Sequence, residues 1–342
     1  PRFHRELFEK YRPNLVVTSS PGWWDYDQYL LREARKEKVR TAAVILSWDN
    51  PSAMGLQGGV VDKIVTWTEA MAQEMEALHD IRREDLFVGG VAHWDPYYYE
   101  NGYLDRESLF GHLGLDPSRK TLFFATKSPT RYPWAHERAK EIAHAIKMGR
   151  FKEPVQLLVR LHPIYFRRID DGLMHQQLLQ AFDDLEEKYP FVIINKPELH
   201  FEFGRSPTDF PEDETLLLAS ILRYSDVMVN MFSTMVVEAS IFDLPAINLA
   251  VSAGFDPADD GRSRKDITID YVQTHNQRVI QTGGVRNAFS IEELIGLVNA
   301  YLQDPSLDSE GRADIKELEA GPFKGNAGSK IAEHLLALAR ET

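Results

Sequence analysis

Ser225-Asp-Val-Met-Val-Asn-Met-Phe-Ser-Thr-Met-Val-Val-Glu-Ala-Ser-Ile-Phe-Asp-Leu-Pro-Ala-Ile-Asn-Leu249 is the stretch on which the reading of the chain turns. It reads as a strand at Val227–Asn230, a short turn, a helix beginning near Ser233, and a second strand at Ala246–Leu249. Ser233 and Thr234 are natural N-cap residues, because a hydroxyl there can accept from the free amides of the first turn. The same helix start, with unpaired N–H groups and a positive dipole end, suits a phosphate. Glu238 lies one turn further in and points back toward that end. Taken alone, these features fit equally well an ordinary capped helix in a parallel sheet.

Outward from this stretch the same alternation recurs. Toward the N-terminus lie strand Thr121–Ala125, helix Ala135–Lys147, strand Val155–Leu161, helix Gln176–Lys188, strand Phe191–Asn195 and helix Glu214–Arg223. Earlier still come strand Asn14–Thr18, helix Asp25–Lys38, strand Val39–Leu46, strand Lys63–Trp67, helix Glu69–His79 and strand Leu86–Val88. Helices at Ile291–Leu302, Ser309–Leu318 and Ala327–Arg340 close the chain. Short apolar strands alternating with amphipathic helices predict parallel sheets covered by helices, an α/β fold. The segment from His93 to Pro117 reads as a crossing. The expected division is therefore an N-terminal domain over 1–116, a second over 117–326, and a last helix over 327–342 returning to the first. Loops 202–212 and 252–266, rich in Gly, Pro and Asp, read as mobile lids. Two open parallel sheets in series would take a ligand where the carboxyl ends of their strands face one another.

Length and composition narrow the function. The 342 residues suffice for two domains, each with its own core. A hydrophobic content of 43% with 27% charged residues is that of a globular protein. No apolar run approaches the ~20 residues that span a bilayer, and no signal peptide is evident, so a cytoplasmic location is expected. The net charge of −13 argues against nucleic acid as a partner, which needs a basic surface. Peripheral contact with the inner face of the cytoplasmic membrane then rests on a local basic patch. The absence of cysteine excludes disulfides, thiolate metal sites and cysteine nucleophiles. There is no His-Glu-x-x-His string, and Asp25-Tyr-Asp27 sits at a helix start where capping explains it, so no metal is expected.

The residues just after each strand are the candidates for chemistry. Val155–Leu161 runs into Val-Arg-Leu-His-Pro163, placing Arg160 and His162 where an anion would lie; the alternatives are a histidine tying down a loop and an arginine pairing with a local carboxylate. Thr126-Lys-Ser-Pro129 follows the preceding strand, and Lys127 is either an anion contact or a solvated lysine. In Leu46-Ser-Trp-Asp-Asn50, after the second strand, the local reading of Asp49 is a cap for the next turn.

Ser-Thr-x-x-x-Glu-Ala followed by Leu-Pro-Ala-Ile resembles the donor segment of GT-B glycosyltransferases. The likeness is to the bacterial surface-polysaccharide branch that includes CDP-glycerol glycerophosphotransferase-like proteins. The resemblance implies two doubly wound, Rossmann-like domains facing a cleft. It implies further that Ser233 and Thr234 hold a nucleotide diphosphate while Glu238 takes the ribose hydroxyls. Arg-Leu-His-Pro is similar to the matching string in CDP-glycerol transferases and several CMP-sialic acid transferases, which implies that His162 contacts the donor phosphate, with Arg160 as helper and Lys127 beside the leaving group. Where the glycerophosphotransferases show Trp-His-Gly, this chain has Trp-Asp-Asn, so Asp49 takes the place of their proposed base. That departure favours sugar transfer over glycerol-phosphate transfer.

Val88-Gly-Gly-Val-Ala-His-Trp-Asp-Pro96 is similar to the family's Gly-x-Pro-x-x-Asp string, and there His93 and Asp95 read as structural. Gly321 to Gly328 resembles the segment before the last helix. The first domain reads as short, lacking an opening strand and glycine-rich loop. What the resemblance implies is a metal-independent glycosyltransferase without a cofactor. It would use a nucleotide-sugar donor and a surface glycan or lipid-linked precursor as acceptor. A CDP-polyol phosphotransferase, a nucleotide-sugar 2-epimerase and a catalytically silent binding subunit are the alternatives.

Overall fold

Helix and strand alternate through both sheets of the computed structural model, which describes residues 4–99, 102–169, 172–201, 211–251 and 267–341. Loop 252–266, and all but the last two residues of loop 202–212, lie outside the described residues. The chain forms two units. One holds Pro1–Tyr99, Gln273–His275 and Ile315–Thr342; the other holds Glu100–Val272 and Asn276–Asp314.

The first unit opens with α1 (Arg5–Tyr11), β1 (Leu15–Thr18), α2 (Asp25–Lys36) and β2 (Arg40–Val44). It continues through α3 (Asn50–Ala53), β3 (Lys63–Thr66), α4 (Glu69–His79) and β4 (Leu86–Val88). Its four strands lie parallel in chain order, β1-β2-β3-β4. Helix α2 shows why these segments fold as they do. Asp25 and Asp27 stand in its first turn and Arg35 and Lys36 in its last, each complementing the helix dipole, while Leu31 and Ala34 face inward.

The second unit begins with α5 (Arg106–Leu113), β5 (Lys120–Ala125), α6 (Ala135–Lys147) and β6 (Val155–Arg160). A small hairpin, β7 (Arg168–Ile169) with β8 (Gly172–Leu173), precedes α7 (Gln176–Lys188), β9 (Val192–Asn195), α8 (Glu212–Tyr224) and β10 (Val227–Asn230). Then come α9 (Met235–Ile241), β11 (Ala246–Leu249), α10 (Thr268–Tyr271), α11 (Thr274–Gln281), β12 (Val285–Ala288) and α12 (Ile291–Gln303). The chain closes with α13 (Ser309–Glu319) and α14 (Ala327–Arg340). The six long strands pair in parallel in the order β12-β11-β10-β5-β6-β9. From β5 the sheet grows one way through β6 and β9, and the other way through β10, β11 and β12. The order therefore reverses between β5 and β10. In an open α/β sheet the crevice beyond the carboxyl ends at such a reversal is where ligands bind.

The two faces of this sheet differ. Phe124, Val159, Ile194, Val229 and Ile247 belong to a core built with residues of α6, α7 and α12. On the opposite face, toward α8 and α9, Asn195, Arg160, Asn230, Asn248 and Asn287, at or next to the ends of their strands, form a polar row that Ala125 of β5 interrupts. Register pairs Asn195 with Arg160, Arg160 with Ala125, Asn230 with Asn248 and Asn248 with Asn287. The pairing of Val229 with Phe124 puts Asn230 beside Ala125. Asn248 Nδ2 donates to Asn287 Oδ1 at 3.1 Å. Asn230 Nδ2 and Asn248 Oδ1 are buried with no partner among the described residues.

In the first unit α14 packs on β1 and β2, and a distant carboxylate fixes its first turn. Asp95, 8% exposed, accepts from Ala327 N and Gly328 N, both at 2.8 Å. Asn326, the residue at the cap position, makes no side-chain capping bond. Asp95 thus does the work of an N-cap, and its negative charge faces the positive helix end. Removing a buried charged acceptor of two amides costs about 2 kcal/mol. Asp95→Ala should lower the urea midpoint accordingly, and Asp95→Asn should recover part of the loss. Unchanged midpoints in both variants would refute the capping role.

Candidate functional site

At the reversal of strand order, the turn between β10 and α9 is shaped by its own asparagine. Asn230, fully buried, accepts Ser233 N at 3.2 Å through Oδ1. Phe232 adopts a left-handed backbone at φ 54, uncommon for an aromatic residue, and its side chain is buried. Helix α9 begins two residues later than the hydroxyl pattern predicts, and neither Ser233 nor Thr234 makes a side-chain cap. Ser233 and Thr234 instead carry the last backbone of the turn. The amides of Thr234 and Met235 have no acceptor among the described residues. Glu238 lies in the first turns of α9, 8% exposed, on a helix whose residues from Val236 to Ile241 are all buried.

Lys127, just after β5, reaches this turn. Its Nζ donates to Met231 O and Phe232 O, each at 3.0 Å, and pairs with Asp270 Oδ2 at 3.0 Å. Thr126 beside it links β5 to the next strand: its Oγ1 accepts from His162 N at 2.9 Å and donates to Arg160 O at 3.2 Å.

His162 follows β6 at the head of a 3-10 turn, Pro163–Phe166. Its Nδ1 accepts from Ile164 N at 3.1 Å, so the proton of the neutral ring sits on Nε2. Burial, with the nearby Lys127 charge adding to it, pushes the imidazole pKa down to about 4. At neutral pH the residue is therefore an uncharged Nε2–H donor with its orientation fixed from behind. Arg160, the last residue of β6, has its guanidinium engaged elsewhere. It donates to Asn195 Oδ1 at 2.5 Å and forms an ion pair with Glu214 Oε1 at 2.7 Å, both members of the pair being buried. This is the local pairing that sequence reasoning had kept as the alternative.

In the other unit Asp49 is half-buried at the loop after β2, where its Oδ1 accepts from Ser47 Oγ at 2.5 Å. Its carbonyl accepts from Ala53 N at 2.9 Å, so its backbone starts α3 while its carboxylate does not cap. Around the same loop Ser52 Oγ meets His275 Nδ1 at 3.1 Å, and the His275 ring packs edge-on to Trp48 at 4.9 Å. Among the described residues no three His, Asp or Glu side chains gather as a metal site would need. No described helix is long and apolar enough to cross a membrane.

In the second unit, then, Thr126 is bonded to the His162 backbone and Lys127 reaches the 231–232 turn, whereas Arg160 is committed to Glu214. No protein-family model matches this chain, and no curated protein does. Solved structures do match. The Staphylococcus aureus MnaA–UDP co-structure is 11% identical with a TM-score of 0.61, covering 97% of this chain and 79% of its own. UDP-GlcNAc 2-epimerase from Neisseria meningitidis bound to UDP-GlcNAc is 14% identical with a TM-score of 0.61, covering 97% and 78%. The wall teichoic acid polymerase TagF, as a variant soaked with CDPG, is 11% identical with a TM-score of 0.53, covering 96% and 72%. The chain has the GT-B fold.

At such identities the likeness carries the fold alone: two Rossmann-like units with parallel sheets. The residues that sequence reasoning missed are Asn230, Thr126 and Asp270. Asn230 had a readable signal, since an asparagine closing the apolar strand Val227–Val229 needs a partner for its amide. Asp270 had none, because nothing local marks it as the counterion of Lys127.

Proposed function

We propose that this protein binds a nucleotide-activated sugar at the reversal of the six-stranded sheet and transfers the sugar to an acceptor hydroxyl. The observation that carries the reading is the neutral, pre-oriented His162 after β6 and the 231–234 turn after β10, on either side of Lys127 at the end of β5, at the place where this fold class takes ligands. The Nε2–H of His162 and the amides of Thr234 and Met235 would hold the diphosphate, with Glu238 toward the ribose. As the glycosidic bond breaks, negative charge grows on the departing diphosphate, and donors already aimed at it stabilise that state most. Asp49 would take the acceptor proton. The acceptor is a surface glycan or its lipid-linked precursor, and no metal or cofactor is required by this scheme.

A second reading, epimerisation at C2 of the nucleotide sugar, is supported by the likeness to UDP-GlcNAc 2-epimerase. The decisive experiment incubates the protein with UDP-GlcNAc and related UDP, CDP and GDP sugars and follows them by proton NMR. Release of nucleoside diphosphate that depends on added acceptor supports transfer. Interconversion of the sugar at C2 without acceptor supports epimerisation and refutes transfer. If no nucleotide shifts the melting temperature, both readings fall.

A further inference from the structure

Lys127 was expected to meet the donor phosphate, and its surroundings give it different work. An ammonium has three N–H donors. Here Met231 O, Phe232 O and Asp270 Oδ2 take one each, at 3.0 Å. The Asp270 carboxylate also cancels the charge that a phosphate would seek. The two carbonyls that Lys127 holds flank the left-handed Phe232, the costliest backbone position of the turn. The segment that supplies Asp270 also supplies the next side chain, Tyr271, which packs edge-on to the Phe232 ring at 6.0 Å. Asp270 itself is 6% exposed, and its own carbonyl accepts from Asn276 Nδ2 at 2.8 Å, which ties α10 to α11.

We propose that Lys127 is a positioning residue, which with Asp270 and Tyr271 clamps the 231–232 turn beside the nucleotide site and holds its backbone in place. The lysine acts through the turn and does not touch the diphosphate. The proposal deepens the nucleotide-binding reading and rests on it for the affinity measurements below.

The two roles of Lys127 predict opposite signs for one substitution. If Lys127 were a phosphate ligand, Asp270→Asn would release its charge and tighten UDP or CDP binding. If it is a clamp, Asp270→Asn loosens the turn and weakens binding, in the same direction as Lys127→Met. Each variant should weaken UDP roughly tenfold, the loss of one charge-assisted bond. The double variant should be no weaker than the worse single, because both act on one device. Lys127→Arg, which keeps the ion pair, should restore part of the affinity. Circular dichroism and thermal melts confirm that each variant is folded. Tighter or unchanged binding by Asp270→Asn, or an additive double variant, overturns the clamp.

Hydrogen exchange without ligand tests the same device separately. Lys127→Met and Asp270→Asn should each speed exchange in the peptide spanning 231–237 roughly tenfold, leaving β6 and α6 unchanged. Unchanged exchange in that peptide refutes the clamp even in a protein that binds nucleotide. A wild-type protein that binds no nucleotide refutes the function while the exchange result still decides the clamp.

Discussion

Replacing His162 by alanine should lower kcat by a factor of about 10²–10³ while changing nucleotide affinity little, the effect of removing one donor aimed at developing charge. The structure adds a finer expectation. Because burial holds the ring pKa at about 4, the donor at neutral pH is an uncharged N–H and not an imidazolium. A carboxamide can imitate that group, so His162→Gln should recover a good part of the alanine loss. A cationic acid could not be replaced in this way, and equal kcat for the two variants would rule out the neutral-donor role. The same shift has a sign in stability. An unfolded histidine titrates near 6.5, so between that value and about 4 the unfolded chain binds a proton that the folded chain refuses. Stability from the buried neutral ring is fully present above about pH 6.5 and declines as pH falls toward the folded value. His162→Gln should therefore flatten the acid side of the stability curve. If His162→Ala only lowers the melting temperature, with turnover per folded molecule intact, His162 leaves the site.

The largest stability effect is expected at Glu214. Its Oε1 faces Arg160 at 2.7 Å and its Oε2 accepts from Glu198 N at 3.0 Å, with both ionic side chains buried. Glu214→Ala strands the guanidinium with Asn195 as its remaining bond, and breaking a buried pair in this way costs roughly 3–5 kcal/mol. The paired change Arg160→Met with Glu214→Leu removes both charges and should return most of that stability. The double variant also separates the two roles considered for Arg160. If the arginine serves the fold alone, the folded double variant binds nucleotide as the wild type does. Lost affinity in a protein of normal melting temperature would instead return Arg160 to the donor site.

Most of this framework was legible in the sequence. Helices Ala135–Lys147, Gln176–Lys188 and Ala327–Arg340 fall where their apolar spacing predicts, because burial of one stripe decides a helix of that length. Strand β12 was not read, since Val-Arg-Asn-Ala is too short and polar to show an apolar run, and it gains its place by pairing with β11. The site was legible by position and not by partner. A sequence shows that Arg160, Lys127 and Ser233 stand after strands. It cannot show that Glu214, Asp270 and Asn230 reach them first, since those pairings are made by tertiary packing. Ser233 makes no cap for such a reason: its hydroxyl turns back toward Asn230 Oδ1, at 3.5 Å, and not forward to the first amides of α9.

The polar row along the ends of the second sheet bears on how that sheet assembles. Parallel strands slide past one another easily in principle, and a slip by one residue turns each side chain to the opposite face. For β6, β10 or β11 such a slip would drive Arg160, Asn230 or Asn248 into the apolar layer beneath α6, α7 and α12, with no partner there to meet it. Each misaligned pairing thus carries its own penalty of a buried, unbonded amide or guanidinium. The bonds from Arg160 to Asn195 and from Asn248 to Asn287 cross between strands paired at those positions, so the native alignment alone makes both.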